Sequence, residues 1–376
     1  MRILVTGLPK NRGGIGTLLV NIAKCNSMQC NSNKVQFEFL LPEESEYKEI
    51  FDADGYRYYE CPRLYNIIGY YSVLKKILSL GQYDYVWINN TSKVDLLLPF
   101  VAKRLGKARI IQHSHGISCE ERGVKKLVFS LLEHIYGRKY EALIDIPLAC
   151  SVASADYFYQ NVELRNRCYI LGNGIFTEKF QFNQNQRARL RSKMNVKDDD
   201  ILVGAVGRLT TVKNYPFLIR LVSALPSHYK GIIVGDGEDR AILTEMIQQE
   251  DLSDWFLLVG QKDNVADYYS AMDIFAMPSF NEGLPFSIVE AQCAGLSCIA
   301  STGISMECNL TGNVHFASLE RIDDWIGTIT KVFPNTITRR DMNRVISEKG
   351  YDINNSYLSF TKLLEQAYVQ EENNAP

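Results

Sequence analysis

Short, mainly apolar runs alternate along the chain with longer stretches in which apolar residues recur every three or four positions. In the first half the runs at 2–7, 35–41, 56–60, 84–89, 109–113, 147–150 and 168–171 predict strands, and 10–24, 67–80, 94–105 and 123–138 predict helices with their leading loops. The second half repeats the rhythm. Strands are expected at 201–206, 232–237, 256–264 (with its loop), 273–277 and 296–301, and helices from 238 onward and over 284–294, 322–332, 339–349 and 355–370. Strands that are apolar on both sides, instead of alternating with polar residues, belong to a parallel sheet covered on both faces. Strand–helix alternation of this kind predicts α/β layers, whose ligands sit at the carboxyl edge of the sheet.

A length of 376 residues accommodates two such domains. The turn Gly172–Phe176, GNGIF, and the polar run 183–200 mark the passage between them. Asp198 and Asp200 form a D-x-D pair, but they precede a strand where a metal-binding pair would follow one, so a solvated turn is expected. With 46% hydrophobic and 22% charged residues the composition is that of a soluble globular protein. A net charge of -2 gives no electrostatic case for nucleic-acid binding. Nine cysteines, an odd number without paired histidines, point to reduced thiols in a cytoplasmic setting. No leader is expected, because residues 2–7 already form a strand, and no apolar run approaches the roughly 20 residues that span a bilayer.

The candidate chemistry centres on 278–301, PSFNEGLPFSIVEAQCAGLSCIAS. Glu282 and Glu290 stand seven residues apart, one ahead of a helix and one inside it, with Pro285 near the first turn and Gly295 closing the helix. At about 1.5 Å rise per residue their carboxylates are spaced by roughly 10 Å along one groove. Between them lies a helix N-terminus, Gly283, Leu284, Pro285 and Phe286, whose free N–H groups suit a phosphate. Carboxylates for hydroxyls on either side of an anion site match a nucleotide sugar.

Pro278, Ser279, Glu282, Gly283, Pro285, Glu290, Ala291 and Gly295 reproduce the donor segment of the GT-B glycosyltransferases, and the chain resembles their large retaining family 4. The resemblance implies two Rossmann-like domains with parallel sheets facing a central cleft. It places an acceptor-side domain at 1–172 with 355–376, and a donor-binding domain at 173–354. Gly207, Arg208, Lys213 and Asn214 match the family's G-R-x-x-x-x-K-[GN], and Arg208 and Lys213 are the charges expected on the donor diphosphate. Metal is then not required, and no cofactor is expected. Gly14 and Gly16 fit the family's glycine loop near the donor, since Leu19 stands where a dinucleotide fingerprint needs its third glycine. His113 and His115, at the end of a strand, are both candidates for the histidine near the reacting centre, with His113 placed first. Lys262 falls in the loop implied to hold the base. Phe176 departs from the family, which carries aspartate there.

The implied reaction moves a sugar from a nucleoside diphosphate, with UDP as the family's commonest carrier, to a hydroxyl of a glycan or lipid-diphosphate-linked acceptor, with retention. A nucleotide-sugar epimerase of the same architecture and a non-catalytic nucleotide-sugar-binding subunit are the rival readings. Within 122–139 the stripe Val124, Leu127, Val128, Leu131, Leu132, Ile135 and Tyr136, flanked by Arg122, Lys125, Lys126, Arg138 and Lys139, reads either as core packing or as a face resting on an anionic membrane.

Overall fold

A computed structural model describes residues 1–29, 35–116, 123–332 and 342–374. The chain divides into two compact units, Met1–Gly174 with Ser356–Pro376, and Ile175–Asn355.

The first unit holds β1 (Arg2–Thr6), β2 (Gln36–Pro42), β3 (Arg57–Cys61), β4 (Tyr85–Asn90), β5 (Arg109–Ser114), β6 (Ile146–Ala149) and β7 (Tyr169–Ile170). They pair in parallel in the order β3-β2-β1-β4-β5-β6-β7. The chain builds outward from β1 to β3, then returns to the other side of β1 with β4. Loops leaving β1 and β4 therefore diverge, and the carboxyl edge opens between them. The last helix, Ile353–Asn374, packs on this unit. Its Phe360 ring lies 4.3 Å from Trp87, and Tyr357 donates to Asn26 Oδ1 at 2.8 Å.

The second unit repeats the plan with β8 (Ile201–Val206), β9 (Tyr229–Val234), β10 (Phe256–Leu258), β11 (Ile274–Met277), β12 (Ser297–Ser301) and β13 (Val314–Ala317). Their parallel order is β10-β9-β8-β11-β12-β13, so the switch point falls between β8 and β11. Pleating sends successive β11 side chains to opposite faces. Ile274 and Ala276 join the core under helix Tyr215–Ser223, while Phe275 and Met277 join the core under helix Phe286–Cys293. Both faces are covered, which is why these strands carry no polar alternation.

Several expectations shift in detail. The 94–105 stretch begins as a helix only at Leu97, because the Asp95 carboxylate accepts from Leu98 N at 3.2 Å and caps it; a π turn, Ala102–Gly106, ends it. The strand expected at 232–237 runs instead over Tyr229–Val234, set by its ladder with Ile201–Val206. Helix 284–294 starts at Phe286. The helix expected at 339–349 is observed as Met342–Ile346 with a π turn, Ser347–Tyr351, and residues 339–341 lie outside the described residues. Strand β13 and the helices Lys48–Asp54, Val152–Phe158 and Val265–Ala271 add to the expected set. Asp200 is not a solvated turn residue. It is buried, accepts from Lys197 N at 2.7 Å and pairs with Lys230 at 3.1 Å, which closes the turn into β8.

Candidate active site

Two loops flank the switch point of the second unit. The first leaves β8 as Gly207–Leu209 and enters a 3-10 turn, Thr211–Lys213. Leu209 is fully buried and its N–H bonds Asp236 O, which fixes the loop and leaves Arg208 pointing outward. The Arg208 guanidinium is 44% exposed and pairs with Glu238 at 3.1 Å, an open contact that a stronger anion can displace. Lys213 is held more closely: its Nζ lies 2.8 Å from Glu282 Oε2, with the two side chains only 19% and 17% exposed.

The second loop leaves β11 at Pro278 and is anchored on both sides by backbone. Phe280 N bonds Val212 O at 2.9 Å, Glu282 N bonds Gly303 O at 3.3 Å, and Ser305 N bonds Glu282 O at 3.1 Å. Gly303 is required by close approach, since a Cβ there would overlap the Phe280 carbonyl oxygen. The clamp aims the Glu282 carboxylate at Lys213. Its other oxygen, Oε1, is buried and has no hydrogen-bond partner among the described residues. A buried carboxylate oxygen left unpaired is costly, and a ligand hydroxyl would satisfy it.

Glu282 leads through buried Gly283, Leu284 and Pro285 to helix Phe286–Cys293. Leu284 turns its side chain into the core, so at the site it offers only backbone. Among the described residues no side-chain cap bond is made at its N-cap, Pro285, and first-turn amides without such a cap suit an anion. One and a half turns in, half-buried Glu290 accepts at Oε2 from the Tyr269 hydroxyl at 2.8 Å. Burial pushes its carboxyl up to about 7, opposed by the Tyr269 hydrogen bond and by the charge of Lys179. Lys262 stands apart from Lys213. It lines a separate cavity of about 220 Å³ with Arg189, Lys193, Asn264 and Tyr268.

The first unit carries the remaining candidates. Gly14 is exposed at the start of helix Gly14–Met28. Gly16 is buried, and a Cβ there would overlap the phenol of Tyr47, so packing alone requires a glycine at that position. His113 and His115 do share a side, with ring centroids 4.0 Å apart. His113 is fully buried beside Trp87, and burial, with the charge of His115, holds it well below the usual histidine range against an opposing backbone contact at Leu171. His115 keeps some exposure at the strand end, with Nε2 3.1 Å from Asn89 Oδ1, and burial lowers it to about 3. Of the two, His115 is the one with exposed surface, and burial disfavours the charged form of both.

Two features escaped the sequence reading. Tyr269 had no local signal beyond being a tyrosine in an apolar helix, whose hydroxyl needs a partner once buried. The Val212 and Gly303 anchors are carbonyl contacts, which no side-chain pattern reveals.

This architecture is that of the GT-B glycosyltransferases. A structure of Anabaena Alr3699/HepE in complex with UDP-glucose superposes with a TM-score of 0.80 at 18% identity, covering 97% of this chain and 100% of that one. Residues 186–348 match the family described as Glycosyl transferases group 1. The putative glycosyltransferase EpsF of Bacillus subtilis strain 168 is 27% identical over 91% of this chain and 90% of its own. An Escherichia coli UDP-Gal:alpha-D-GlcNAc-diphosphoundecaprenol alpha-1,3-galactosyltransferase is 26% identical over 77% of this chain and 76% of its own. The chain is a glycosyltransferase, and the group 1 match lies within its second unit.

Proposed function

We propose that this glycosyltransferase is a retaining family 4 enzyme that takes its sugar from a UDP-sugar and delivers it to a hydroxyl of a glycan or lipid-diphosphate-linked acceptor in polysaccharide assembly. The observation that carries the reading is the Lys213–Glu282 pair at the β8/β11 switch point, with Glu282 Oε1 buried and unpaired beside it. Cation, orphaned acceptor and uncapped helix start converge where a diphosphate and the sugar it carries would lie side by side. A relative supports this chemistry: the Escherichia coli enzyme is a UDP-Gal:alpha-D-GlcNAc-diphosphoundecaprenol alpha-1,3-galactosyltransferase.

In the proposed reaction the anomeric carbon–phosphate oxygen bond breaks and a bond from that carbon to the acceptor oxygen forms on the same face. The acceptor proton passes to the departing phosphate oxygen. Arg208, Lys213 and the first-turn amides of helix Phe286–Cys293 stabilise the charge that builds on the diphosphate, and thereby supply the role a metal would otherwise fill. Glu282 and Glu290 hold donor hydroxyls on either side.

A membrane-resting face accompanies this reading. On helix Gly123–Glu141, Leu127, Val128, Leu131, Ile135 and Tyr136 are exposed, with exposed Arg138 and Lys139 near its end. Exposure of this stripe favours an interfacial role over core packing. Arg122 lies outside the described residues, as do the side chains of Val124, Lys125 and Lys126.

The test is turnover of a panel of nucleotide sugars with and without a lipid-diphosphate-linked acceptor. Product that forms only with acceptor is expected. Sugar interconversion without acceptor would instead identify an epimerase, and no turnover in either arm a binding subunit. Lys213→Ala should lower kcat/KM by about 100-fold or more, since it removes a transition-state charge and leaves Glu282 buried and unpaired; wild-type rates would refute the assignment.

A further inference from the structure

Glu290 alone does not explain its own placement. The carboxylate rises from a helix otherwise packed into the core, where Ile288, Val289, Ala291 and Cys293 are fully buried. The Glu290 carboxylate takes a hydrogen bond from outside that helix. Tyr269, on helix Val265–Ala271, is fully buried and donates its hydroxyl to Glu290 Oε2. The phenol ring is fixed between Phe180 and Phe275, each with its centroid 5.9 Å away. Its hydroxyl therefore has one direction open to it.

From this geometry we infer that Tyr269 is a positioning residue of the donor site. By binding one oxygen of Glu290, it orients the carboxylate and keeps it in the form that accepts from donor hydroxyls. The inference rests on the proposed reading that Glu290 holds such hydroxyls. A hydroxyl donated to Oε2 favours the ionised carboxylate over the protonated one, because only the charged form gains a charge-assisted bond. Burial acts the other way, and the two together leave Glu290 near neutrality. Removing the tyrosine oxygen leaves burial less opposed, so the carboxyl must move up. Donor affinity, which needs the ionised form, must then rise with pH along a curve displaced to higher pH.

Other ionisable groups lie on the elements packed around Glu290, among them Asp267 and Tyr268 on the helix of Tyr269 and Glu178 on the turn Thr177–Phe180. Lys179 lies on the turn Thr177–Phe180, and its positive charge favours the carboxylate. Cys293, on the same helix, is pushed up to about 12 by burial and by the charges of Glu290 and Asp352. Cys298, on adjacent β12, is held well above its ordinary range. Arg344, on the packed helix Met342–Ile346, pairs with Glu348. β11 contributes no ionisable side chain.

The experiment measures affinity for UDP-glucose between pH 5.5 and 8.5 in the wild type, Tyr269→Phe and Glu290→Gln. UDP-glucose is the probe because its diphosphate is esterified at both ends, whereas a terminal phosphate has a second pKa of about 6 and would confuse the curve. Phenylalanine keeps the ring, so the fold is expected to hold. The wild type should gain affinity as pH rises through about 7. Tyr269→Phe should show that rise displaced upward, with affinity about 3- to 10-fold weaker at pH 7 and the gap narrowing by pH 8.5. Glu290→Gln should bind weakly with no such pH dependence. If Tyr269→Phe matches the wild type, or weakens binding equally at every pH, the tyrosine is structural only and the inference falls while the donor reading stands. If the wild type and Glu290→Gln bind alike, the reading of Glu290 as a donor ligand falls, and the inference with it.

Discussion

Gly303 shows how a residue without functional atoms can set the position of one that has them. Its carbonyl receives Glu282 N, and its missing Cβ makes room for the Phe280 carbonyl of the same loop. A methyl group there must push the 280–282 segment away from Thr302–Ser305, and the Glu282 carboxylate moves with it. Gly303→Ala should therefore cost rate as well as stability. Overpacking of this kind costs about 1–3 kcal/mol of folding free energy, while a misplacement near 1 Å at a reacting centre costs about 100-fold in rate. Thermal unfolding and kcat/KM on the same preparation check this, and wild-type kcat/KM would show that the clamp does not aim Glu282. By contrast Gly16→Ala, which meets Tyr47 in the first unit, should act through stability.

An exposed apolar face decides most at the scale of one helix. Helix Gly123–Glu141 leaves Leu131 58% and Ile135 51% exposed on one side. If that side rests in a bilayer interface, the chain should sediment with vesicles containing anionic lipid at low salt and release at high salt, because the basic flank is screened. Replacing Leu131 and Ile135 together with Gln should weaken vesicle binding by about tenfold or more, since each buried aliphatic side chain contributes about 1.5–3 kcal/mol. A wild-type chain that ignores anionic vesicles sinks the membrane reading and leaves the enzymatic one intact. Elements also show what the sequence could disclose. Strand–helix alternation, both glutamates, and the Arg208 and Lys213 pair were legible because each is a local string at a strand end. β13 and helix Val265–Ala271 were not, because short buried segments have no period of their own. Tyr269 followed from neither, since its meaning depends on Glu290, twenty-one residues further on. The depth of His113 was hidden for a similar reason: strand periodicity gives the side, but only packing against Trp87 gives the depth.

Across the molecule, the proposed donor groups divide unequally between the two units. Arg208, Lys213, Glu282, Glu290 and the uncapped helix start all lie within Ile175–Asn355, while Gly14, Gly16, His113 and His115 lie in the other unit. A ligand stabilises what it binds by RT ln(1 + [L]/Kd), about 2.7 kcal/mol at a hundredfold excess over Kd. That free energy should therefore appear first in the second unit. Hydrogen exchange with and without saturating UDP-glucose reads it directly. Slowed exchange is expected at 207–213 and 280–290, where the loops and the first-turn amides meet the ligand. Core amides of β8 and β11, which exchange only when their unit opens, should slow by up to about 100-fold on the same arithmetic. Core amides of β2 and β3, on the far side of the first sheet, should slow much less. Equal slowing in both sheets would mean that the units open together, and then the loop amides alone carry the assignment. Protection confined to 7–16 and 113–116, with none at 207–213 or 280–290, would place the donor on the first unit and overturn the roles given to Lys213 and Glu282.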